Sequence, residues 1–167
     1  QIDCSTWFGY KDFIVALFPR KGGRAPPIDD LNCLEVLGRF IGRMHNVGAA
    51  QPFQHRPNIS TLEYGEQSRT FLLENRFIPL ELEAAYESVT EHLIAMINDR
   101  FSQTQVTSLR LHADCHMGNV LWRDEQPHFV DFDDARSGPA IQDLWMLLSG
   151  DETTRQQQMQ SILKGYR

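Results

Sequence analysis

The sequence predicts an α+β fold in which a short strand pair leads into helices and a small β-hairpin lies among those helices. Three observations support this prediction: an N-terminal apolar run split by a polar pair, apolar residues repeating at three- and four-residue steps, and two short strand-like runs around residues 119–132. The 167 residues, of which 41% are hydrophobic and 23% charged, have the length and composition of about one globular domain.

The N-terminal segment, residues 3–18, has strand character. Phe8 to Tyr10 and Phe13 to Phe18 are apolar runs, and Lys11-Asp12 between them predicts a hairpin turn. The second run is unbroken, so we expect it to be buried on both faces. Residues 19–27 are rich in Pro and Gly and predict a connector.

Three helices are predicted next. The first begins at an N-cap, Asp29 or Asp30, and stops at Gly48. Ser60-Thr61-Leu62-Glu63 has the capping-box pattern of a second helix, and Pro79 suits the first turn of a third. Apolar faces are expected on the first helix (Leu31, Leu34, Leu37, Ile41, Met44) and on the third (Leu82, Tyr86, Val89, Leu93, Met96).

The C-terminal half mixes strands and helices. Strand character is found at residues 106–111, 119–122 and 128–132, with a polar turn between the last two runs. A helix is predicted from Pro139 to about residue 148, and a last helix after Asp151.

The unusual polar residues lie in and around this hairpin. Its geometry should bring Asn119 close to Asp131, with Asp114 just before them. With Asp133 and Asp134, up to four carboxylates fall in one short region, where they repel one another unless a cation lies between them. Carboxylate and amide oxygens favour Mg²⁺, Mn²⁺ or Ca²⁺ over zinc, and Mg²⁺ completes its shell with phosphate oxygens and water. The local chemistry therefore predicts metal-assisted phosphoryl transfer.

The spacing of these residues sharpens the prediction. His112-x-Asp114 followed by four residues and Asn119 is the pattern of kinase catalytic loops, in which the Asp accepts the hydroxyl proton and the Asn holds a metal. Asp131 follows a hairpin later, where those enzymes keep a metal-binding Asp.

The motif-bearing segments resemble the aminoglycoside phosphotransferase-type branch of the protein-kinase-like fold, and within it the bacterial stress-response kinases. The similar segments are Leu111 to Asp124, Phe129 to Leu148, Leu37 to His45 and His55-Arg56-Pro57, within a resemblance that runs from about Phe13 to Gly150. This resemblance implies the helical C-terminal lobe of a kinase, with a small β-hairpin insert and the last strands of the N-terminal lobe.

The resemblance also implies a cytoplasmic, stress-response type of Ser/Thr protein kinase that uses ATP and Mg²⁺. Asp114 would be the catalytic base and Asp131 a second catalytic residue. Asn119 and Asp131 would hold Mg²⁺ and, through it, the nucleotide. Phe18 would lie in the hinge beside adenine, and Asp143 would brace the catalytic loop by accepting backbone N–H bonds.

The same resemblance divides the chain into residues 1–19, the end of the N-terminal lobe and hinge, and residues 20–167, the C-terminal lobe. The latter would contain the catalytic loop 112–119 and the metal-binding segment 129–134. The family's usual residue after the loop His is Gly, whereas this chain has Ala113, which tolerates a positive φ less well.

The elements of a kinase that bind the ATP phosphates are not recognisable in this sequence. No Gly-rich phosphate loop is visible, and the three lysines lie in a turn, the connector and the tail: Lys11, Lys21 and Lys164. We therefore expect the chain to be a fragment that lacks most of the N-terminal lobe and the last helices, and to be inactive or nearly so alone.

Other functions remain open from the sequence. The same residues would serve a small-molecule kinase acting on an aminoglycoside, choline, homoserine or a sugar, and the fold would also suit a non-catalytic binding module. His112 and His116 would be ligands in a zinc metallohydrolase, although a buried His112 that bonds the backbone is the simpler interpretation. Cys115 is a weak candidate nucleophile.

Composition limits the partners. A net charge of −6 argues against nucleic-acid binding, and no apolar run is long enough for a membrane span. Three cysteines do not form a disulfide framework, which favours a reducing cytoplasm. We expect a monomer whose partners are ATP and a protein with a Ser/Thr acceptor, or a small alcohol.

Overall fold

A computed structural model describes residues 7–167 of the chain. It contains six strands: β1 (Trp7–Tyr10), β2 (Phe13–Ala16), β3 (Ser108–Leu111), β4 (Val120–Arg123), β5 (Gln126–Phe129) and β6 (Arg136–Pro139). Its five α-helices are α1 (Leu31–Ala49), α2 (Gln67–Glu74), α3 (Leu80–Ser102), α4 (Gln142–Trp145) and α5 (Glu152–Tyr166). A π-helical turn, Leu62–Glu66, precedes α2, and a 3₁₀ turn, Met117–Asn119, precedes β4. The predicted mixture of helices and strands is confirmed.

The N-terminal hairpin is confirmed, with a difference in burial. β1 and β2 pair antiparallel, and Lys11 in the turn has a φ of 54°. The prediction that Phe13 to Phe18 is buried on both faces is wrong, since Ile14 is 80% exposed. The reason is that β1 and β2 form a two-stranded sheet, which covers neither of its own faces. Residues 3–6 of the predicted strand region lie outside the described residues.

Helix α1 forms the centre of the core. Asp30 caps it, accepting a hydrogen bond from the backbone N–H of Asn32 at 2.9 Å, so one of the two predicted caps is confirmed. Of the predicted apolar face, Leu34, Leu37 and Ile41 are fully buried. They pack with residues of β4, α4, the turn after α4, and α5: Val120, Trp122, Leu144, Leu147 and Ile162.

Gly48 does not end α1, contrary to the prediction. The helix continues to Ala49, and Gly48 is buried within it. A Cβ at Gly48 would collide with the backbone carbonyl oxygen of Arg110 in β3. This glycine therefore permits the close approach of α1 to β3, rather than a left-handed helix end.

Helix α5 crosses α1 at close range. Cβ atoms placed at Gly38 of α1 or Gly165 of α5 would collide with backbone of the opposite helix, at Ile162 and Glu35 respectively. Asp151 caps α5 by accepting from the Thr154 N–H at 2.8 Å. The predicted last helix is confirmed, and these contacts fix its position across α1.

The π turn that leads into α2, and helix α3, begin near the residues predicted for the second and third helices. Ser60 Oγ accepts from the Glu63 N–H at 3.2 Å, as the capping box predicts. The Glu63 carboxylate bonds the N–H of Asn58 at 2.8 Å. Pro79 is the N-cap of α3. The apolar face predicted for α3 is largely exposed, with Leu82 at 54%, since α3 packs on α2 and the π turn through other residues, including Ile94 over Gly65.

The C-terminal half contains a strand that the sequence analysis missed. Residues 136–139 form β6, which pairs antiparallel with β3. The helix predicted from Pro139 is therefore reduced to α4, because Pro139 is held in the β3–β6 ladder opposite Ser108. The predicted strand 128–132 ends at Phe129, and Asp131 beyond it has a φ of 65°, which a strand does not accommodate.

Two composition-based expectations can be compared with the described residues. Cys33 and Cys115 are both free and buried, whereas Cys4 lies outside residues 7–167. No helix in that range combines the length and apolar character needed to cross a bilayer.

Candidate active site

The loop after β3 carries the predicted catalytic motif. Its first residue, His112, is buried, and its Nε2 atom lies 2.8 Å from the carbonyl oxygen of Val130. This confirms that His112 bonds the backbone and ties the loop to the segment after β5. The other ring nitrogen, Nδ1, is buried and has no hydrogen-bond partner among the described residues. Among residues 7–167, no group of three or more His, Cys, Asp or Glu side chains is placed to hold a metal ion.

Asp143 of α4 holds the backbone at the start of this loop. Its Oδ2 accepts the His112 N–H at 2.9 Å and its Oδ1 accepts the Ala113 N–H at 2.7 Å. The side chain is completely buried, and hydrogen bonds to a buried carboxylate are strong and directional. The predicted brace is present.

Ala113 has a left-handed backbone conformation. Its φ is 70°, in the left-handed region that alanine resists. Its N–H is bonded to Asp143, and its carbonyl oxygen accepts from Gln142 Nε2 at 3.1 Å. Two neighbouring side chains of α4 thus hold both polar groups of one strained residue. Gln142 was not predicted, and its place beside Asp143 was the only available signal.

Asp114 and Asn119 are in direct contact, which the sequence analysis did not predict. Asn119 Nδ2 donates to the Asp114 carbonyl oxygen at 2.9 Å and to Asp114 Oδ2 at 3.0 Å. The loop is thereby closed on itself, with the Asp114 carboxylate fixed at one oxygen. The Asp114 side chain is 35% exposed, so solvent or a substrate can reach it.

His116 lies beside this carboxylate. Its Nδ1 accepts the Gly118 N–H at 2.9 Å, which leaves Nε2 to carry the proton, 3.5 Å from Asp114 Oδ2. Oδ2 therefore faces two N–H groups, from Asn119 and His116. This leaves Oδ1 as the atom of Asp114 that is better placed to accept a proton. His116 is exposed.

Asp131 lies on the neighbouring segment. The N–H of Val130 donates to the Asn119 carbonyl oxygen at 3.0 Å, so the backbone bond places Asn119 next to the residue before Asp131, as predicted. Asp131 is exposed. Asn119 uses its amide N–H₂ on Asp114, and its amide oxygen accepts no hydrogen bond from residues 7–167. An amide oxygen and a nearby carboxylate are hard donors of the kind that Mg²⁺ prefers.

The four predicted carboxylates do not form one cluster. Asp134 is paired with Arg136, Nη2 to Oδ1, at 2.7 Å, and the carbonyl oxygen of Asp133 accepts from Arg56. The reason is that the segment after Asp131 turns toward β6, where arginines hold it. Arg136 is thus held in an ion pair rather than left free.

Cys115 is not a nucleophile. It is fully buried in the core, and burial, with smaller contributions from the charges of Asp143 and Asp114, strongly raises the pKa of its thiol. Reactive cysteines need an exposed thiolate. Phe18, two residues after β2, is 76% exposed, and its place beside adenine stays a prediction.

Comparison with known proteins agrees with this geometry. The profile of the phosphotransferase enzyme family matches residues 11–167. The chain is 45% identical to stress response kinase A of Escherichia coli K12 over 96% of this chain and 48% of that protein. It is 42% identical to the serine/threonine protein kinase RdoA of Salmonella typhimurium, with the same coverages of 96% and 48%. The chain thus spans about half the length of these curated relatives.

A solved structure extends the comparison to the fold. The amicoumacin kinase hAmiN, solved in complex with AMP-PNP, Ca²⁺ and Ami, superposes with a TM-score of 0.66 at 22% identity, covering 92% of this chain and 47% of that one. The kinase-like fold expected from the sequence is confirmed by this likeness. With the profile match over nearly its whole length, the chain belongs to the phosphotransferase enzyme family.

Proposed function

We propose that the protein containing this chain is a cytoplasmic Ser/Thr protein kinase of the stress-response type, which transfers the γ-phosphoryl group of ATP to a protein hydroxyl. The observation that carries the proposal is the closed loop in which Asn119 fixes one oxygen of Asp114 while Asp143 holds the preceding backbone. The identity to two bacterial kinases, one of them named a serine/threonine protein kinase, supports the choice of acceptor.

In this proposal the hydroxyl group of the acceptor binds at the carboxylate of Asp114. The hydroxyl oxygen bonds to the γ-phosphorus as the bond to the β,γ-bridging oxygen breaks, ADP leaves, and the hydroxyl proton passes to Asp114 Oδ1. The orientation of the carboxylate is set before substrate arrives, since Asn119 and His116 occupy its other oxygen. Positioned bases of this kind contribute roughly 10²–10⁴-fold in rate.

Mg²⁺ fits the residues present, because the Asn119 amide oxygen and the Asp131 carboxylate offer two hard ligands and leave further positions for phosphate and water. When bound, the ion would neutralise charge on the β- and γ-phosphates. Phe18 and the hinge segment would bind adenine. Two buried free thiols in the described residues agree with a reducing compartment.

The test uses the complete protein with Mg²⁺ and γ-labelled ATP. Asp114→Asn should reduce label transfer to Ser or Thr by roughly 10²–10⁴-fold. Asp124→Asn is the matched control, because Asp124 lies in the exposed turn between β4 and β5 and, among residues 7–167, its carboxylate pairs with its neighbour Arg123. Equal activity in Asp114→Asn and wild type would refute the proposed base.

A small-molecule kinase is the second candidate, favoured by the likeness to the antibiotic kinase hAmiN. The same assay separates the two. Transfer to an amino sugar or small alcohol, with no label on protein, would reassign the acceptor. An absence of ATP binding in the presence of Mg²⁺ would leave a non-catalytic binding module.

A further inference from the structure

A buried chain of hydrogen bonds runs from the last helix to the catalytic loop. The Tyr166 hydroxyl on α5 lies 2.7 Å from His45 Nδ1 on α1. His45 Nε2 lies 2.9 Å from Asp143 Oδ2. Asp143 in turn accepts the N–H groups of His112 and Ala113. One continuous path therefore joins the penultimate residue of the chain to the residues that precede Asp114.

The centre of this path is shielded from water. Asp143 is 0% exposed and His45 is 3% exposed. A buried carboxylate is destabilising unless hydrogen-bond donors surround it. Asp143 has three: two backbone N–H groups of the loop and the His45 ring. Removing the ring's donor would leave the carboxylate held only by the loop that it is meant to orient.

The carboxylate of Asp143 fixes the direction of the chain, because an ionised carboxylate only accepts hydrogen bonds. Burial, and secondarily the charge of Asp143, raises the pKa of Tyr166, which keeps the phenol protonated and able to donate. A phenol that donates to His45 Nδ1 requires Nε2 to carry the ring proton and donate it to Asp143. In this arrangement both ring nitrogens of His45 have a hydrogen-bond partner.

The helix packing places Tyr166 at this point. A Cβ at Gly42 of α1 would lie 2.8 Å from the carbonyl oxygen of Tyr166, so the two helices approach closely here. The rings of His45 and Tyr166 meet edge to face, with centroids 5.5 Å apart and planes at 74°. Gly38 and Gly165 permit two further close contacts between these helices, with the backbone at Ile162 and Glu35 respectively.

We propose that His45 and Tyr166 are positioning residues of the catalytic loop, which set the orientation of Asp143 and through it the backbone that carries Asp114. This inference rests on the proposed function. The loop needs such support because Ala113 is held at a φ of 70° by bonds to α4. A rotated Asp143 carboxylate would release the N–H groups of residues 112 and 113 and let the strained loop relax.

The first test removes one hydroxyl from the complete protein. Tyr166→Phe keeps the ring against His45 and loses only the donor. Tyr86→Phe is the control, since Tyr86 lies on α3, which packs on α2 and the π turn. We expect kcat to fall about five-fold in Tyr166→Phe, the effect of one neutral hydrogen bond, with the KM for ATP unchanged. Tyr86→Phe should behave as wild type.

A second pair of variants tests His45 itself. His45→Gln retains an N–H donor on a side chain of similar reach, whereas His45→Leu retains only bulk. His45→Gln should retain most of the kcat that His45→Leu loses, when kcat is calculated per folded molecule. Equal kcat in the two variants would show that the ring acts only by packing and would overturn the proposal.

Amide hydrogen exchange gives a readout that needs no activity. Tyr166→Phe should speed exchange at His112 and Ala113 about five-fold, while the amides of β4 keep their wild-type rates. Unchanged exchange and unchanged kcat in Tyr166→Phe would refute the positioning role, even where Asp114→Asn is inactive. An active Asp114→Asn would instead refute the proposed base, and with it this role.

Discussion

Replacing Ala113 by glycine measures the strain stored in the catalytic loop. At a φ of 70° an alanine costs about 1–2 kcal/mol relative to its ordinary conformation. Glycine removes that cost, but it adds about 0.5–1 kcal/mol of backbone entropy lost on folding. Glycine also removes the methyl group of a residue that is only 9% exposed, which contributes about 0.8 kcal/mol. The terms nearly cancel, so Ala113→Gly should change the free energy of unfolding by less than about 1 kcal/mol.

Ala135→Gly is the matched control. Ala135 is 8% exposed and also lies in a loop, but it is not among the residues with positive φ. It loses the same methyl group and gains the same chain entropy without relief of strain, so it should destabilise the protein by about 1.5 kcal/mol. The difference of about 1–2 kcal/mol between the two variants is the strain itself.

Urea unfolding of the complete protein, followed by tryptophan fluorescence, supplies both values. In the label-transfer assay of the proposed function, Ala113→Gly should behave nearly as wild type. If Ala113→Gly were as destabilising as Ala135→Gly, the loop would hold no strain at residue 113. The interpretation that hydrogen bonds from Gln142 and Asp143 hold residue 113 in a strained conformation would then be wrong.

Two further predictions concern packing and the buried thiols. Gly38→Ala should destabilise the protein by about 1–3 kcal/mol, because the added methyl group meets the backbone of α5. Gly22→Ala is the control and should be neutral in the same urea titration, since a Cβ there has nothing within 4 Å. Equal unfolding midpoints for the two variants would contradict the close crossing of α1 and α5. Burial raises the pKa of Cys33 to about 11 and that of Cys115 still further, so at pH 8 both are thiols rather than thiolates. Iodoacetamide followed by peptide mass spectrometry should modify neither in the native protein and both after denaturation, and rapid native labelling of Cys115 would show that it is not buried.

Local signals in the sequence located most elements correctly. Asp30, Ser60, Pro79 and Asp151 mark helix starts because capping depends on a few adjacent residues. The errors fall where a distant partner decides the conformation. Gly48 looks like a helix stop, and only the approach of β3 shows that it is an interior contact.

The motif spacing alone predicted the chemistry of the candidate site. His112, Asp114 and Asn119 lie within one loop, so their contacts follow from short-range geometry, and Asp143 was added by resemblance. The tertiary structure alone decided what supports this loop. His45 and Tyr166 are 121 residues apart in sequence, and no local pattern relates them. Their contact exists because glycines let two helices cross closely, a consequence of packing that becomes visible only when the whole chain is folded.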